Sequence, residues 1–239
     1  MTELMKLCKF DFLKLLYPDR CPFCDTARPV NEGGVGICPD CLGTLEKVKP
    51  PFCVLCGKHV ERTGDKCKDC AETLRFFEGG RSLYTYDKIS ESVYRFKYMN
   101  RKFYAKPYAY LLKKELGDWI SGIKPDAFIP VPLHKKRLMK RGYNQAAELA
   151  KELGKITNIP VYDEIVMRVK KTRPLKSMSR AERQANMKKA FLVSENDVHL
   201  KRVILIDDIY TTGSTLNALA KALKDAGVAH VFILTFAGA

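Results

Sequence analysis

Four Cys-x-x-Cys pairs follow one another in the front third of the chain: Cys21/Cys24, Cys38/Cys41, Cys53/Cys56 and Cys67/Cys70. Each pair turns two sulfurs inward from one tight loop. Two pairs joined by a short hairpin complete the tetrahedron of thiolates, about 2.3 Å from the metal, that structural zinc takes. The intervals between pairs are 13, 11 and 10 residues, and Asp25 and Gly57 follow two of the pairs, which suits such turns. A disulfide framework would need an oxidising compartment. Residues 4–16 are apolar, but Asp11 and Lys14 interrupt them and no small-residue cleavage site follows. They read as a short helix packed on the rest of the protein and ended by Tyr17-Pro18, not as an export signal. A cytoplasmic location is therefore expected. Structural zinc is expected too, at one site or two, and two are favoured because each needs only two pairs. Sequential pairing is the simpler arrangement, and cross-braced pairing stays open. Cys8 stands alone and reads as an apolar packing residue. Closed four-cysteine sites leave no position for chemistry, so this part is mechanical or recognitional.

Charge divides the chain as sharply as cysteine does. All nine cysteines precede residue 71, and residues 1–79 hold 12 Lys/Arg against 12 Asp/Glu. Residues 80–239 hold 30 against 15, so the whole net charge of +15 lies there. Two opposite asymmetries that switch at one point predict a boundary at 79/80, with modules 1–79 and 80–239. The hydrophobic fraction of 46% excludes disorder as the main description. No run approaches the roughly 18–20 apolar residues of a membrane span.

Residues 203–216 carry the chemistry of the second module. Val203 to Ile206 form an apolar, mostly β-branched strand of the buried parallel kind. Asp207 and Asp208 follow, then Thr211-Thr212-Gly213-Ser214-Thr215, then an amphipathic helix with Leu216, Leu219, Ala220 and Leu223 on one side. Ligands of open α/β sheets sit outside the carboxyl ends of strands. Successive backbone N–H groups, hydroxyls and a helix N-terminus make an anion site there. Adjacent carboxylates suit the two hydroxyls of a ribose.

This order resembles the loop that binds 5-phosphoribosyl-1-pyrophosphate (PRPP) in type I phosphoribosyltransferases. The resemblance implies that Asp207 and Asp208 hold the ribose hydroxyls and that Thr211 to Thr215 hold the 5′-phosphate. It also implies that magnesium arrives with the pyrophosphate. The turn after the short strand at 127–132 is where such folds bind pyrophosphate, which makes Leu133, His134 and Lys135 candidates; a solvated turn is the other reading of His134. Residues 164–193 lie where these folds carry a lid, with nine Lys/Arg and one acid from Arg168 to Lys189. The expected fold class is α/β, a type I phosphoribosyltransferase-like parallel sheet with a small N-terminal zinc-ribbon-like module. The core is expected to be near minimal, since the chain stops soon after the strand at 230–236.

The whole set is narrower than the fold. The cysteine pairs, Pro130-Val131-Pro132-Leu133-His134, Arg141-Gly142-Tyr143-Asn144-Gln145, Arg183 with Asn186 and Ala190-Phe191, and the Asp-Asp loop resemble, in this order, the ComF family of bacterial competence proteins. One departure is Leu175, where many relatives have Gln, which puts lid chemistry relying on that residue in doubt. The resemblance implies a cytoplasmic protein of natural transformation that acts with incoming single-stranded DNA and with a helicase-like competence ATPase. From the residues themselves, 94–110 alternate aromatics and cations, a pattern that suits base stacking and phosphate neutralisation. Several of those aromatics also fit helix faces turned to a core. Lys97, Arg101, Lys102, Lys136, Arg137, Lys140, Arg141, Lys170, Lys171 and Arg173 are the candidate DNA contacts. The preferred reading is a DNA-handling competence protein that retains a PRPP-type site; the alternative is a metabolic phosphoribosyltransferase of nucleotide salvage. No acidic or amide cluster in residues 80–120 obviously reads a base, so turnover is not implied.

Overall fold

The computed structural model describes residues 20–27, 36–168, 191–193 and 199–239. The expected helix at 4–16, Cys8, most of the expected lid, and Lys170, Lys171 and Arg173 lie outside these residues. Among the described residues, the front of the chain is made of turns with two short helices, α1 (Pro39–Thr44) and α2 (Lys68–Glu72), each starting just after the first cysteine of a pair. The sheet follows, beginning with β1 (Gly79–Thr85) and then α3 (Tyr86–Tyr98), a 3₁₀ turn at Lys102–Tyr104 and α4 (Ala105–Ile123). Next come β2 (Ala127–Pro130), α5 (Lys135–Arg141), α6 (Gln145–Thr157) and an antiparallel pair, β3 (Val166–Arg168) with β4 (Phe191–Val193). The chain closes with β5 (Arg202–Tyr210), α7 (Ser214–Asp225) and β6 (His230–Gly238).

Four strands form a parallel sheet in the order β1-β6-β5-β2. Strand β5 is central and buried on both faces, as its unbroken apolar run requires. Its side chains alternate. Val203 and Leu205 face a core built with Leu216, Leu219 and Leu223 of α7. Ile204 and Ile206 face a second core built with α3, α4 and α6. The second core is aromatic: Phe96, Tyr104 and Tyr108 are buried, and the Tyr108 ring stacks on Phe236 with centroids 3.8 Å apart. The aromatic stretch at 94–110 thus divides. Its buried members hold the sheet, while Tyr94 and Tyr98 stay 58% and 50% exposed.

Local signals set the helices that frame the site. His134 begins α5 by accepting from the Lys136 N–H at 3.2 Å, and Gly142, with φ of 79°, ends it. Asn144 caps α6 by accepting from the Ala146 N–H at 3.2 Å. No helix among the described residues is long and apolar enough to cross a membrane.

Candidate functional site

The sulfurs gather in two groups, Cys21/Cys24/Cys38/Cys41 and Cys53/Cys56/Cys67/Cys70. The pairing is therefore sequential. Within each group the sulfurs all lie within 4.8 Å of one another. The Cys24–Cys38 and Cys56–Cys67 distances are 3.7 and 3.5 Å, close to the edge of about 3.8 Å in a zinc–thiolate tetrahedron. The surroundings of the second group fit an electron-rich centre. Arg75 Nε and Tyr210 Oη are buried donors with no hydrogen-bond partner among the described residues. The Cys70 thiol is drawn down to about 5, first by its hydrogen bond with Cys56 and then, against burial, by the charge of Arg75. These eight cysteines would hold two structural ions, which join chain segments and do no chemistry.

The acid pair lies in the final turns of β5 rather than beyond it. Strand β6 accompanies β5 to Tyr210, but β2 leaves it at the Pro130–Ile206 register. From Asp207 onward β5 therefore has no ladder partner on its β2 side, the place where open α/β sheets bind ligands. The pair is already neutralised in part by the chain. Lys97 Nζ from α3 stands 3.0 Å from Asp208 Oδ1, and the Asp208 N–H donates to Asp207 Oδ1 at 2.9 Å. Asp208 is only 8% exposed. The Asp207 carboxyl is pushed up to about 7 by burial first and by the neighbouring Asp208 charge second, with Lys97 and Arg168 opposing. Past Tyr210, Thr211 and Thr212 are exposed, Gly213 takes φ of 68° at the start of α7, and the Thr212 and Ser214 hydroxyls lie 2.8 Å apart.

The other candidates are scattered. Lys97 faces the acid pair and Arg101 Nη2 binds Asp25 Oδ2 at 3.0 Å, while Lys102 pairs with Glu148 at 3.2 Å. Lys135, Lys136, Arg137 and Lys140 are exposed on α5. Arg141 donates to Tyr98 Oη at 3.0 Å and lies over that ring, 4.8 Å from its centroid. Tyr98 in turn packs on Tyr94 with centroids 5.0 Å apart. Sequence reading missed the place of Lys97 at the acid pair and the contacts of Asn217. Asn217 accepts from the Phe76 N–H at 2.7 Å and donates to the Leu74 carbonyl at 2.8 Å. A buried Asn on the apolar side of an amphipathic helix was the available signal.

Comparison with known proteins follows the same division. A double zinc ribbon domain matches residues 12–71, and a phosphoribosyl transferase domain matches residues 105–239. Competence protein F of Haemophilus influenzae is 33% identical over 219 residues, covering 89% of this chain and 93% of its own. The chain belongs to the ComF family. Competence protein ComFC of Bacillus subtilis is 31% identical, covering 81% of this chain and 80% of its own. DNA utilization protein YhgH of Escherichia coli strain K12 is 28% identical, covering 91% and 96%. The chain is thus a ComF protein with paired zinc ribbons in front of a phosphoribosyltransferase-type domain.

Proposed function

We propose that this ComF protein handles incoming single-stranded DNA during natural transformation and binds PRPP or a related ribose 5-phosphate ligand. The observation that carries the ligand reading is the acid pair at the carboxyl end of β5, beyond the β2 ladder, followed at once by the hydroxyl-lined loop and the N-terminus of α7. Asp207 and Asp208 hold the ribose hydroxyls, and Thr211 to Thr215 hold the 5′-phosphate. Leu133, His134 and Lys135 face the pyrophosphate, which brings magnesium with it. The cation of Lys97 stands on Asp208, so the site offers a ribose one carboxyl paired with a cation and one held by a backbone N–H. Its division at 79/80, its cytoplasmic place and a helicase-like ATPase as partner belong to the same reading.

The DNA reading is supported by the names of the relatives, by the basic excess and by one surface. Exposed cations of α5 adjoin the Arg141–Tyr98–Tyr94 stack, which presents aromatic faces beside positive charge. Fluorescence anisotropy of a labelled single strand and of a duplex of equal length, at about 150–200 mM salt where non-specific binding is weak, tests it. Preference for the single strand is expected. Equal weak binding to both forms would overturn the DNA role and favour phosphoribosyl transfer in nucleotide salvage, to be sought as pyrophosphate release. For the ligand, calorimetry with Mg-PRPP should show binding that Asp207→Ala with Asp208→Ala abolishes. Unchanged affinity in that double variant would sink the site.

A further inference from the structure

We infer that Tyr210 is a positioning residue that ties the phosphate loop to the second zinc centre. Its hydroxyl donates to the metal-bound thiolate of Cys70, and its ring holds Gly213 in the left-handed turn that opens α7. The inference rests on the reading of Thr211 to Thr215 as a phosphate site.

Tyr210 is the last residue of β5 and directly precedes that loop. It is fully buried, and its hydroxyl has no partner meeting hydrogen-bond geometry among the described residues. A buried hydroxyl without a partner is unfavourable and calls for an explanation. What surrounds it is the second ribbon. Tyr210 shares a packed cluster with Cys53, Cys56 and Cys70, and Lys58 Nζ lies 5.6 Å from its ring centroid. A phenol hydroxyl buried in this way is a donor in need of an electron-rich acceptor. Four thiolates around one Zn²⁺ keep a net negative charge, so each sulfur is such an acceptor.

The same hydroxyl end of the ring touches the loop. A Cβ on Gly213 would run into the Tyr210 Oη first and would come within 2.7 Å of its Cζ and Cε2, so nothing larger than glycine fits between Tyr210 and the turn. The φ of 68° at Gly213 asks for glycine as well. The hydroxyl end of Tyr210 therefore lies where the ribbon's cluster and the turn meet. One turn further, Asn217 of α7 grips Leu74 and Phe76, the segment that leaves Cys70. Loop, helix start and zinc ribbon are joined at two points. A loop ordered from behind loses less freedom when a phosphate binds, which raises affinity. By thermodynamic linkage the phosphate must then strengthen zinc retention by the same factor.

The experiment is the rate of zinc release from the full chain to a chelating dye, with and without ribose 5-phosphate, alongside calorimetry of ribose 5-phosphate binding. Ribose 5-phosphate should slow release of one of the two ions about tenfold, within the usual range of coupling. In Cys24→Ser protein, which keeps only the second centre, the remaining ion should respond in the same way. In Tyr210→Phe protein both ions should still load and the slowing should vanish. Equal slowing in wild type and Tyr210→Phe would overturn the role of the hydroxyl. Binding by calorimetry with no slowing in wild type or Cys24→Ser would overturn the coupling while leaving the loop reading intact. No binding at all would overturn both.

Discussion

The two zinc ribbons repeat one motif and are attached to different depths. The first rests on the edge of the aromatic core through Phe23, Ile37 and Leu45 and is fixed there by polar contacts. Asp25 accepts from Tyr104 Oη at 2.6 Å and from Arg101 Nη2 at 3.0 Å, and Arg95 donates to the Phe23 carbonyl at 2.6 Å. Cys24 in this ribbon is exposed. The second ribbon is part of the core. Cys53, Cys56 and Cys70 are buried and pack with Phe77, Ile129 and Leu216 around β5 and α7. A Cβ on Gly57 would lie 2.8 Å from the Arg81 Cα, so this turn sits backbone to backbone against β1. Burial of apolar surface is the main contributor to global stability, while part-buried charge-assisted hydrogen bonds such as these add about 1.5–3 kcal/mol each and fix a position. Identical metal chemistry thus serves as an attached module in one case and as a core element in the other.

The contrast breaks most plainly at the cysteines. Cys56→Ser should cost at least about 4 kcal/mol of global stability, since it removes a metal and unsettles a core together. Cys24→Ser should leave the main thermal transition of the sheet almost unmoved. Calorimetric scans of both proteins decide this, and equal shifts would end the distinction. Asp25→Ala should release the first ribbon at a cost of roughly 2–3 kcal/mol, as for a lost charge-assisted hydrogen bond. Hydrogen exchange should then quicken in residues 20–27 and stay unchanged in β5. Asn217→Ala should act on the second ribbon, lowering global stability by about 2 kcal/mol through two unpaired backbone groups; urea titration measures it.

The smallest effect is one of pH, and it has opposite signs at the two carboxyls. For Asp25, burial acts against ionisation, but Tyr104, then Arg101 and Arg20, win and hold it below the usual carboxylate range. Its contribution is present above the unfolded value near 4 and is lost as pH falls through the lower folded value. Asp207, raised to about 7, behaves in reverse. Its penalty is absent below about 4, grows as pH rises to about 7 and stays constant above that. Asp207→Asn should therefore stabilise the fold by about 1–2 kcal/mol at pH 8 and hardly at all at pH 4. Denaturation curves at the two pH values check the sign.

Much of this was legible in the chain. The four cysteine pairs, the parallel strand and the Asp-Asp loop are local patterns whose spacing dictates geometry, and each forms where its residues stand. What spacing left open was the pairing of knuckles, which the gathering of the sulfurs into two groups settles as sequential. Long-range placement was less legible. Lys97 reads as one cation among many in an aromatic stretch, yet the turn of α3 brings it onto Asp208. Alternation along β5 puts Tyr210 on the side of Asp208, but it packs with the opposite core, beside the second ribbon. Neither fact follows from neighbours in sequence, because both depend on which element crosses the end of β5.

The segment between the ribbons has a consequence of another kind. Lys47 bridges Tyr84 in antiparallel fashion, with Val48 N–H donating to the Leu83 carbonyl at 3.0 Å and Thr85 N–H to the Glu46 carbonyl at 3.1 Å. At the opposite border, Phe128 pairs with the chain around Val161. Both outer strands of the sheet are therefore roofed by a few residues of irregular chain. Uncovered, β1 would present a row of unpaired amides and carbonyls, the template on which strands of separate molecules stack. The ribbons stand at either end of the strip that roofs β1, like pegs at the ends of a cord. Chelation in a crowded solution should turn a clear sample cloudy, with turbidity rising as the strip comes away from β1.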